Sequence, residues 1–258
     1  MKTLSWNVRD LGKLRAVRRL RNKLREVRPN ILFLMETKLS DVRMANVQRK
    51  CGFSCSFDVS ANGSCGGLSL AWMSDTSVSI QSFSSFHIDD VIKENHSTRE
   101  WRLAGFYGNS VERLRVESWD LLQSLGVDQS LPWLVVGDFN EILLSSEKQG
   151  SRIRSDRNMD AFCRALEDCE LEDLGFSGNW YTWGKGRLSS NVIHERLDRG
   201  VANPQSWDAF PEFSVQHLTH TISDHCPSLI ISNPQDMCNL MDSYQAFKFS
   251  ANWILEEE

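Results

Sequence analysis

The segment Gly137-Asp138-Phe139-Asn140 places a carboxylate and an amide two residues apart, directly after an apolar run. That run, residues 133–136, has the length of a buried strand, and the glycine marks its end. Asn7 and Glu36 end two further apolar runs, and His225 immediately precedes a fourth. Each motif alone is weak, because Gly, Asp and Asn are ordinary turn residues. Together they predict polar groups that converge at one edge of a sheet.

These residue types indicate a particular chemistry. Carboxylates and amides, without any cluster of cysteines or histidines, suit a hard cation such as Mg²⁺, which prefers oxygen ligands. Such a site keeps metal-bound waters and completes its coordination with phosphate oxygens of the substrate. Asparagine side chains donate hydrogen bonds to phosphate oxygens without adding negative charge. The residues therefore predict phosphodiester hydrolysis.

The elements that must position these residues follow from hydrophobic periodicity. The chain starts with a strand–helix–strand unit, in which apolar residues recur at helical spacing over residues 14–28. Many strands and few helices predict an α/β fold with sheet packed on sheet and helices outside. Strands are predicted over residues 3–7, 31–35, 68–72, 78–83, 86–92, 101–107, 133–136, 213–218 and 227–231, and helices over 14–28, 41–50, 111–125 and 156–170. The aromatic segment 180–183 is also strand-like, and residues 196–199 lie beside a polar turn.

Composition narrows the class of protein. With 258 residues, of which 41% are hydrophobic, the chain can bury a large core. No apolar run is long enough for a membrane span, so no membrane partner is expected. The seven cysteines include no C-x-x-C pair and are typical of reduced thiols in an intracellular, nuclear or cytoplasmic protein. We expect one domain over residues 1–232 and a polar tail or linker over 233–258.

Charge is unevenly distributed along the chain. The formal net charge is -5, yet basic residues crowd the first 28 positions. The overall acidity does not support electrostatic steering to nucleic acid, whereas a local basic face could provide it. A solvated helix face is the simpler interpretation of most of these side chains.

Five motifs in order resemble those of the endonuclease/exonuclease/phosphatase superfamily, which has the DNase I-like fold. Within it, the chain is similar to the endonuclease domain of plant LINE-type retrotransposons without long terminal repeats. The resemblance covers residues 1–231 and implies a four-layer α/β sandwich, in which helices flank two packed mixed β-sheets. The motifs are Ser5-Trp6-Asn7, Glu36-Thr37, Gly137-Asp138-Phe139-Asn140, Arg196-Leu197-Asp198 and Ser223-Asp224-His225.

The resemblance also implies a division of labour among the catalytic residues. Asp138 would orient or deprotonate the attacking water. Asn7 and Asn140 would bind the scissile phosphate and help to place Asp138. His225, held by Asp198, would stabilise charge on the phosphoryl centre. The His–Asp pair would also fix the imidazole tautomer and favour its charged form.

Further residues take supporting roles by the same resemblance. Glu36 would hold the metal, Mg²⁺ or alternatively Mn²⁺, and Asp224 would support the metal or the histidine. Tyr107 would contact the phosphate. The remaining expected contacts are Asn109 with phosphate, and Arg9, Trp183 and Arg196 with nucleic acid.

The chain departs from the superfamily pattern at one position. Many relatives carry an acid two residues after the first asparagine, where this chain has Arg9. Asp10 follows it and is expected to compensate in part as a metal ligand. The effect of this change on metal binding is left open by the sequence.

These features predict a Mg²⁺-dependent, monomeric endonuclease that nicks DNA and leaves a 3′-hydroxyl. A reverse transcriptase, originally fused to or associated with the chain, could extend that end. One alternative is an abasic-site endonuclease or a phosphatase of the same fold. Another is a catalytically inactive remnant that only binds nucleic acid. The intact set of catalytic residues favours retained activity.

Overall fold

A computed structural model of the chain describes residues 1–63, 65–94, 99–150, 153–186, 192–219 and 222–233. Nearly all of the expected tail lies outside the described residues. The strands are β1 Lys2–Asn7, β2 Ile31–Met35, β3 Cys55–Val59, β4 Leu68–Trp72, β5 Thr76–Phe83, β6 His87–Glu94, β7 Glu100–Tyr107, β8 Trp133–Asp138, β9 Lys148–Gln149, β10 Glu172–Asp173, β11 Ser177–Gly178, β12 Trp183–Lys185, β13 Ile193–Glu195, β14 Asp198–Ala202, β15 Ser214–His217 and β16 Ser228–Ile231. The helices are α1 Leu14–Val27, α2 Asp41–Cys51, α3 Arg115–Leu125, α4 Asp156–Asp168 and α5 Pro204–Ala209.

Two large mixed sheets form the centre of the molecule. The first has seven strands in the order β11-β15-β16-β1-β2-β4-β3, and the second has six in the order β10-β14-β8-β7-β6-β5. A small third sheet has the order β12-β13-β9. Strands β1 and β2 run parallel and are joined by α1, and β7 and β8 run parallel and are joined by α3. The ends of each parallel pair therefore meet at one sheet edge.

The layers are helices, sheet, sheet and helices, which confirms the predicted fold class. Phe33 and Leu70 of the first sheet pack against Leu103 and Val136 of the second in a buried core between the sheets. The outer face of the first sheet is covered by α1 and α2. The outer face of the second is covered by α3 and α4, where the rings of Trp119 and Phe162 stack with centroids 4.5 Å apart. None of the described helices has the length and apolar character needed to cross a membrane.

The structure differs from the expected elements mainly in the second half of the chain. Strand β14 lies in the middle of the second sheet, paired with β8, although its sequence was interpreted as flanking a polar turn. Gly200 within it interrupts the apolar pattern on which strand prediction depends. The aromatic segment starting at Trp180 becomes a strand only from Trp183 onwards. A 3-10 turn, Glu112–Leu114, precedes α3 where one continuous helix was expected.

Candidate active site

Asp138 lies at the end of β8 and is bound by residues of both sheets. Its Oδ2 accepts a hydrogen bond of 2.9 Å from the Asn7 side chain at the end of β1. Its Oδ1 accepts one of 2.9 Å from the backbone N–H of Asn140. The Asn140 side chain in turn donates to the carbonyl oxygen of Gly108, at 2.9 Å. Because Asp138 and Asn7 are both buried, these bonds fix the carboxylate in one orientation.

Glycine is required where β7 and β8 end. Gly137 has a φ of 153°, and a Cβ there would lie closer than 3.0 Å to the carbonyl oxygen of Phe106. A Cβ at Gly108 would collide with the carbonyl of Phe139 in the same way. The two glycines therefore let the strand ends approach each other. This close approach places Tyr107 opposite Asp138 in the β7–β8 register.

His225 and Asp198 form a buried pair beside Asp138. The Nδ1 atom of His225 lies 2.8 Å from Asp198 Oδ2 and 3.8 Å from Asp138 Oδ2. Asp198 begins β14 and pairs directly with Asp138 in the strand register. His225 precedes β16, and its carbonyl oxygen accepts a hydrogen bond of 2.9 Å from the Trp6 indole. Both partners are thus held by main-chain contacts as well as by each other.

Thr182 is a positioning residue that the sequence did not reveal. Its buried hydroxyl oxygen accepts hydrogen bonds of 2.9 Å from the backbone N–H groups of both Leu197 and Asp198. Its carbonyl oxygen accepts another from the N–H of Cys226, next to the histidine. No local pattern in the sequence indicated a role for this threonine.

The electrostatics of the cluster suit acid–base chemistry. Burial raises the pKa of Asp138 to about 6, opposed by the charge of His225 and reinforced by that of Asp198. Burial alone would lower the pKa of His225, but the carboxylates of Asp198 and Asp138 outweigh it and raise the pKa to about 9. At neutral pH the imidazole is therefore charged, while Asp138 is ionised yet basic enough to accept a proton.

Glu36 and Tyr107 form a second group at the same edge, with one member from each sheet. The Tyr107 hydroxyl donates a hydrogen bond to Glu36 Oε1, and Lys38 Nζ lies 3.9 Å from Glu36 Oε2. Burial and the negative charges of Asp138 and Glu36 raise the pKa of Tyr107 well above its usual range, so the phenol stays protonated and can donate. Glu36 and Asn140 both have left-handed backbone conformations, with φ of 51° and 57°. Such strained positions cluster at functional sites.

Asp224 is held by two expected nucleic-acid contacts, Arg9 and Trp183. Its Oδ2 is ion-paired with the Arg9 guanidinium and accepts a hydrogen bond of 2.9 Å from the Trp183 indole. The Arg9 side chain is half-exposed, and the Trp183 ring centroid lies 6.4 Å from that of His225. Asp224, Arg9 and Trp183 therefore lie beside the His225 cluster. A cavity of about 440 Å³ opens here, lined in part by Thr182 and His194.

Three expected site residues have other partners. Asp10 accepts a hydrogen bond of 2.6 Å from the backbone N–H of Gly12, in the turn before α1. The Asn109 side chain accepts one of 3.0 Å from the N–H of Val111. Arg196 is buried, 2.8 Å from both Glu147 Oε1 and Asp173 Oδ1. Two carboxylates therefore hold the Arg196 guanidinium inside the protein, and its contact with nucleic acid stays a prediction.

Two groups of atoms could hold a metal ion. Among the described residues, ligand atoms of Asp138, Asp198 and His225 lie within 4.8 Å of one another. Hydrogen bonds engage Asp138 Oδ2, Asp198 Oδ2 and His225 Nδ1, whereas the buried Asp198 Oδ1 has no hydrogen-bond partner. Glu36 and Asn7 offer a second set of oxygens at the ends of the neighbouring strands β2 and β1, and Asn7 Oδ1 is buried without a hydrogen-bond partner. Carboxylate and amide oxygens fit a hard divalent cation.

Solved structures with similar folds include three proteins that cover nearly all of this chain. The first is the 3′ phosphatase NExo from Neisseria, bound to a product DNA hairpin, with 19% identity, a TM-score of 0.67 and coverage of 90% of this chain and 98% of the other. The endonuclease domain of TRAS1, a telomere-specific non-LTR retrotransposon, has 14% identity, a TM-score of 0.64 and coverage of 89% and 96%. The AP endonuclease LMAP from Leishmania major has 16% identity, a TM-score of 0.67 and coverage of 89% and 86%. At these identities the likeness shows the fold alone.

Sequence comparison identifies the family. No curated protein matches the chain. The model of the Endonuclease/Exonuclease/phosphatase family matches residues 4–225, a span that contains the buried cluster and the strands that carry it. The chain therefore belongs to the endonuclease/exonuclease/phosphatase family.

Proposed function

We propose that this protein is a divalent-metal-dependent endonuclease that hydrolyses phosphodiester bonds of DNA and leaves a 3′-hydroxyl. The observation that carries the proposal is a row of four residues, Asn7, Asp138, His225 and Asp198, built from both sheets at one edge. Hydrogen bonds join Asn7 to Asp138 and His225 to Asp198, and His225 Nδ1 lies 3.8 Å from Asp138 Oδ2. The solved structure of a Neisseria 3′ phosphatase with a product DNA hairpin supports DNA as the substrate class.

The residues of the row divide the reaction between them. Asp138 orients the attacking water and takes one of its protons, and Asn7 and Asn140 keep its carboxylate aligned and contact the scissile phosphate. The water oxygen bonds to phosphorus, the bond from phosphorus to the 3′ oxygen breaks, and that oxygen takes up a proton. Charged His225, oriented by Asp198, stabilises the negative charge that develops on the phosphoryl oxygens.

The metal would be held on the Glu36 side of the row, with Mg²⁺ the expected ion and Mn²⁺ the alternative. Glu36 and the unpaired Asn7 Oδ1 are the ligands that this chain offers there. When bound, the ion acts as a Lewis acid on the phosphate. Tyr107 donates to Glu36 and fixes its carboxylate. Asp224 acts on the histidine side, because Arg9 already neutralises it.

The retroelement assignment is the finer part of the proposal. The endonuclease domain of TRAS1 shares the fold over 89% of this chain, and the LINE-type motifs support the same origin. In that role the chain acts as a monomer inside the cell. The 3′-hydroxyl that it leaves serves a reverse transcriptase fused to or associated with the chain.

Nicking of supercoiled plasmid by the purified chain tests the proposal. We expect open circles with Mg²⁺ and none with EDTA. Asp138→Asn and His225→Ala should each lower the nicking rate by about 10²–10³, because each removes one group that stabilises the transition state. Asp168→Asn, which changes an exposed carboxylate on α4, is the matched control and should nick at the wild-type rate.

Three substrates separate the finer alternatives. Intact duplex should be cut at least as fast as an abasic-site duplex, and a 3′-phosphorylated oligonucleotide should not be turned over. Preference for the abasic duplex would replace the retroelement assignment by abasic-site repair, and turnover of the 3′-phosphate would indicate a phosphatase. A folded chain that binds duplex but cuts none of the three would be an inactive remnant.

A further inference from the structure

The outer face of α1 and α2 carries a concentrated positive charge that the proposed catalytic site does not use. We call this surface the α1–α2 basic face. Within these described helices and their flanking turns, the exposed acids are Glu26 and Asp41. The exposed cations of the face are Lys13, Arg15, Arg18, Arg19, Arg25, Arg28, Arg43, Arg49 and Lys50.

Part of this charge forms a straight row. Arg15, Arg18 and Arg25 are separated by three and seven positions, so they lie on one side of α1 together with Asn22. At 1.5 Å per residue the row is about 15 Å long. The opposite side of the helix is apolar, and Leu20 and Leu24 bury it against the first sheet. Packing of α1 against the first sheet therefore fixes the backbone positions of these arginines and turns their side chains outward.

The opposite helical layer, formed by α3 and α4, carries net negative charge. Exposed arginines on α3 and α4 are limited, within the described residues, to Arg157 and Arg164. The exposed acids of these helices are Glu117, Asp120, Asp156, Asp160, Glu167 and Asp168. Two outer layers of opposite sign give the molecule a polarity that attracts a polyanion to the α1–α2 side and repels it from the other.

The basic face is continuous with the edge that holds the catalytic row. Helix α1 begins at Leu14, a few residues after Asn7, and the connecting turn contributes Arg9 and exposed Lys13. Lys38, which follows β2 near Glu36, adds a further cation at the same edge. A phosphate backbone leaving the catalytic edge on this side would therefore meet Lys13 and then the arginine row of α1.

We propose that the α1–α2 basic face is a second nucleic-acid-binding surface, which holds sugar-phosphate backbone away from the bond being cut. The proposal rests on the function proposed above, because it takes nucleic acid as the partner. The exposed guanidinium groups of Arg15, Arg18 and Arg25 suit the phosphate backbone, which dominates nucleic-acid affinity and carries no sequence information. The surface thus adds affinity and leaves the choice of the cut bond to the catalytic edge.

A charge-matched pair of variants tests this surface. Arg15→Gln/Arg18→Gln/Arg25→Gln removes three charges from the row, and Arg113→Gln/Arg157→Gln/Arg164→Gln removes three exposed charges from the opposite side. The probe is a fluorescein-labelled 40-base-pair duplex, titrated in EDTA over a range of salt concentrations by fluorescence anisotropy. Thermal unfolding verifies that both variants fold like the wild type.

The α1 variant should weaken binding at least about tenfold at low salt. Its slope of log K against log salt should be shallower by about 2 to 3, because each lost phosphate contact removes about 0.9 from the slope. The opposite-side variant should keep the wild-type affinity and slope. Equal slopes for the α1 variant and the wild type, or equal losses in the two variants, would overturn the proposal.

Binding of a 12-base-pair duplex shows whether the backbone held on the α1–α2 basic face belongs to the substrate or to a second nucleic-acid molecule. If the face holds the flank of the substrate itself, one short duplex binds per chain and the α1 variant loses affinity only for the long one. If it holds a second nucleic-acid molecule, two short duplexes bind the wild type and one binds the α1 variant. Either outcome supports the proposed binding surface. Tighter binding of the wild type to phosphatidylserine vesicles than to duplex, lost in the α1 variant, would assign the face to a membrane instead.

Nicking of the 12-base-pair duplex in Mg²⁺ separates the two proposals. The α1 variant should keep the wild-type kcat, because none of its three residues belongs to the catalytic row. If the wild type binds with the expected slope but does not nick, the proposed function fails and the surface stands. If nicking is normal but the slopes are equal, the surface fails and the function stands.

Discussion

The charge of His225 depends on the carboxylate beside it, and this dependence can be measured. Asp198→Asn removes the nearest negative charge while keeping a similar shape, so the pKa of His225 should fall from about 9 towards or below 6.5, the ordinary value for histidine. NMR titration of the imidazole in metal-free protein measures this fall. A pKa that stays near 9 in the variant would mean that another group holds the charge.

The same pair should make stability depend on pH. Folding raises the pKa of His225, so its interaction with Asp198 contributes fully to the free energy of unfolding below about pH 6.5 and is lost as the pH rises through about 9. Urea unfolding of the wild type and of Asp198→Asn at pH 6 and pH 9.5 should therefore show a difference in stability that shrinks at the higher pH.

Arg9 is the residue at which this chain departs most from its family. Its guanidinium neutralises Asp224 at the edge that we assign to the metal and the phosphate. Arg9→Asp replaces that cation by an acid, so it should lower the Mg²⁺ concentration needed for half-maximal nicking. Arg9→Gln should have an intermediate effect because it removes charge without adding any. An unchanged or higher Mg²⁺ requirement in Arg9→Asp would show that the metal lies out of reach of this position.

At the scale of elements, the strand ends that carry the site depend on glycine. Gly137→Ala would place a Cβ against the carbonyl oxygen of Phe106, at a φ that residues other than glycine rarely adopt. We expect a loss of at least about 3 kcal/mol in the free energy of unfolding, from the strain and the collision together. Urea unfolding measures this loss.

Gly200 on the neighbouring strand β14 is the matched control. A Cβ there would meet side-chain carbons at 3.4 to 3.7 Å, which is ordinary van der Waals contact. Gly200→Ala should therefore change stability by no more than about 1 kcal/mol, in either direction. Similar losses in the two variants would show that the position in the sheet, and not the close approach of β7 and β8, decides the cost.

The elements that the sequence predicted well are those with continuous hydrophobic patterns. Strand β2 was predicted over residues 31–35 and helix α1 over 14–28, against Ile31–Met35 and Leu14–Val27 in the structure. Strand β14 was not predicted, because it contains Arg199, whose buried charge is balanced by Glu147 and Asp173 from distant parts of the chain. Such pairing is tertiary and leaves no local periodicity.

At the scale of the whole molecule, the sequence predicted which strand ends would converge but not how they divide between the sheets. Asn7 comes from the first sheet and Asp138 from the second, so the bond between them crosses the sandwich. The burial of Arg196 and the support from Thr182 were also beyond a reading of local motifs, since both follow from packing between elements far apart in sequence. The roles of the individual site residues remain predictions for the nicking assay.

A site that spans two sheets should be sensitive to the spacing between them. A Cβ at Gly105 on β7 would overlap the ring of Phe33 on β2, across the core between the sheets. Gly105→Ala should therefore cost about 1 to 3 kcal/mol as an overpacked core, and it should also slow nicking by displacing Asp138 from Asn7. Plasmid nicking and urea unfolding measure the two effects.

Shortening the opposing ring should reverse part of this damage. In Gly105→Ala/Phe33→Leu the smaller side chain makes room for the added methyl group, so the loss of stability should be smaller than the sum of the single losses by about 1 kcal/mol. Nicking should recover relative to Gly105→Ala, although neither substituted residue belongs to the catalytic row. Strictly additive losses, or restored stability without restored nicking, would show that the spacing of the sheets does not control the alignment of Asn7 with Asp138.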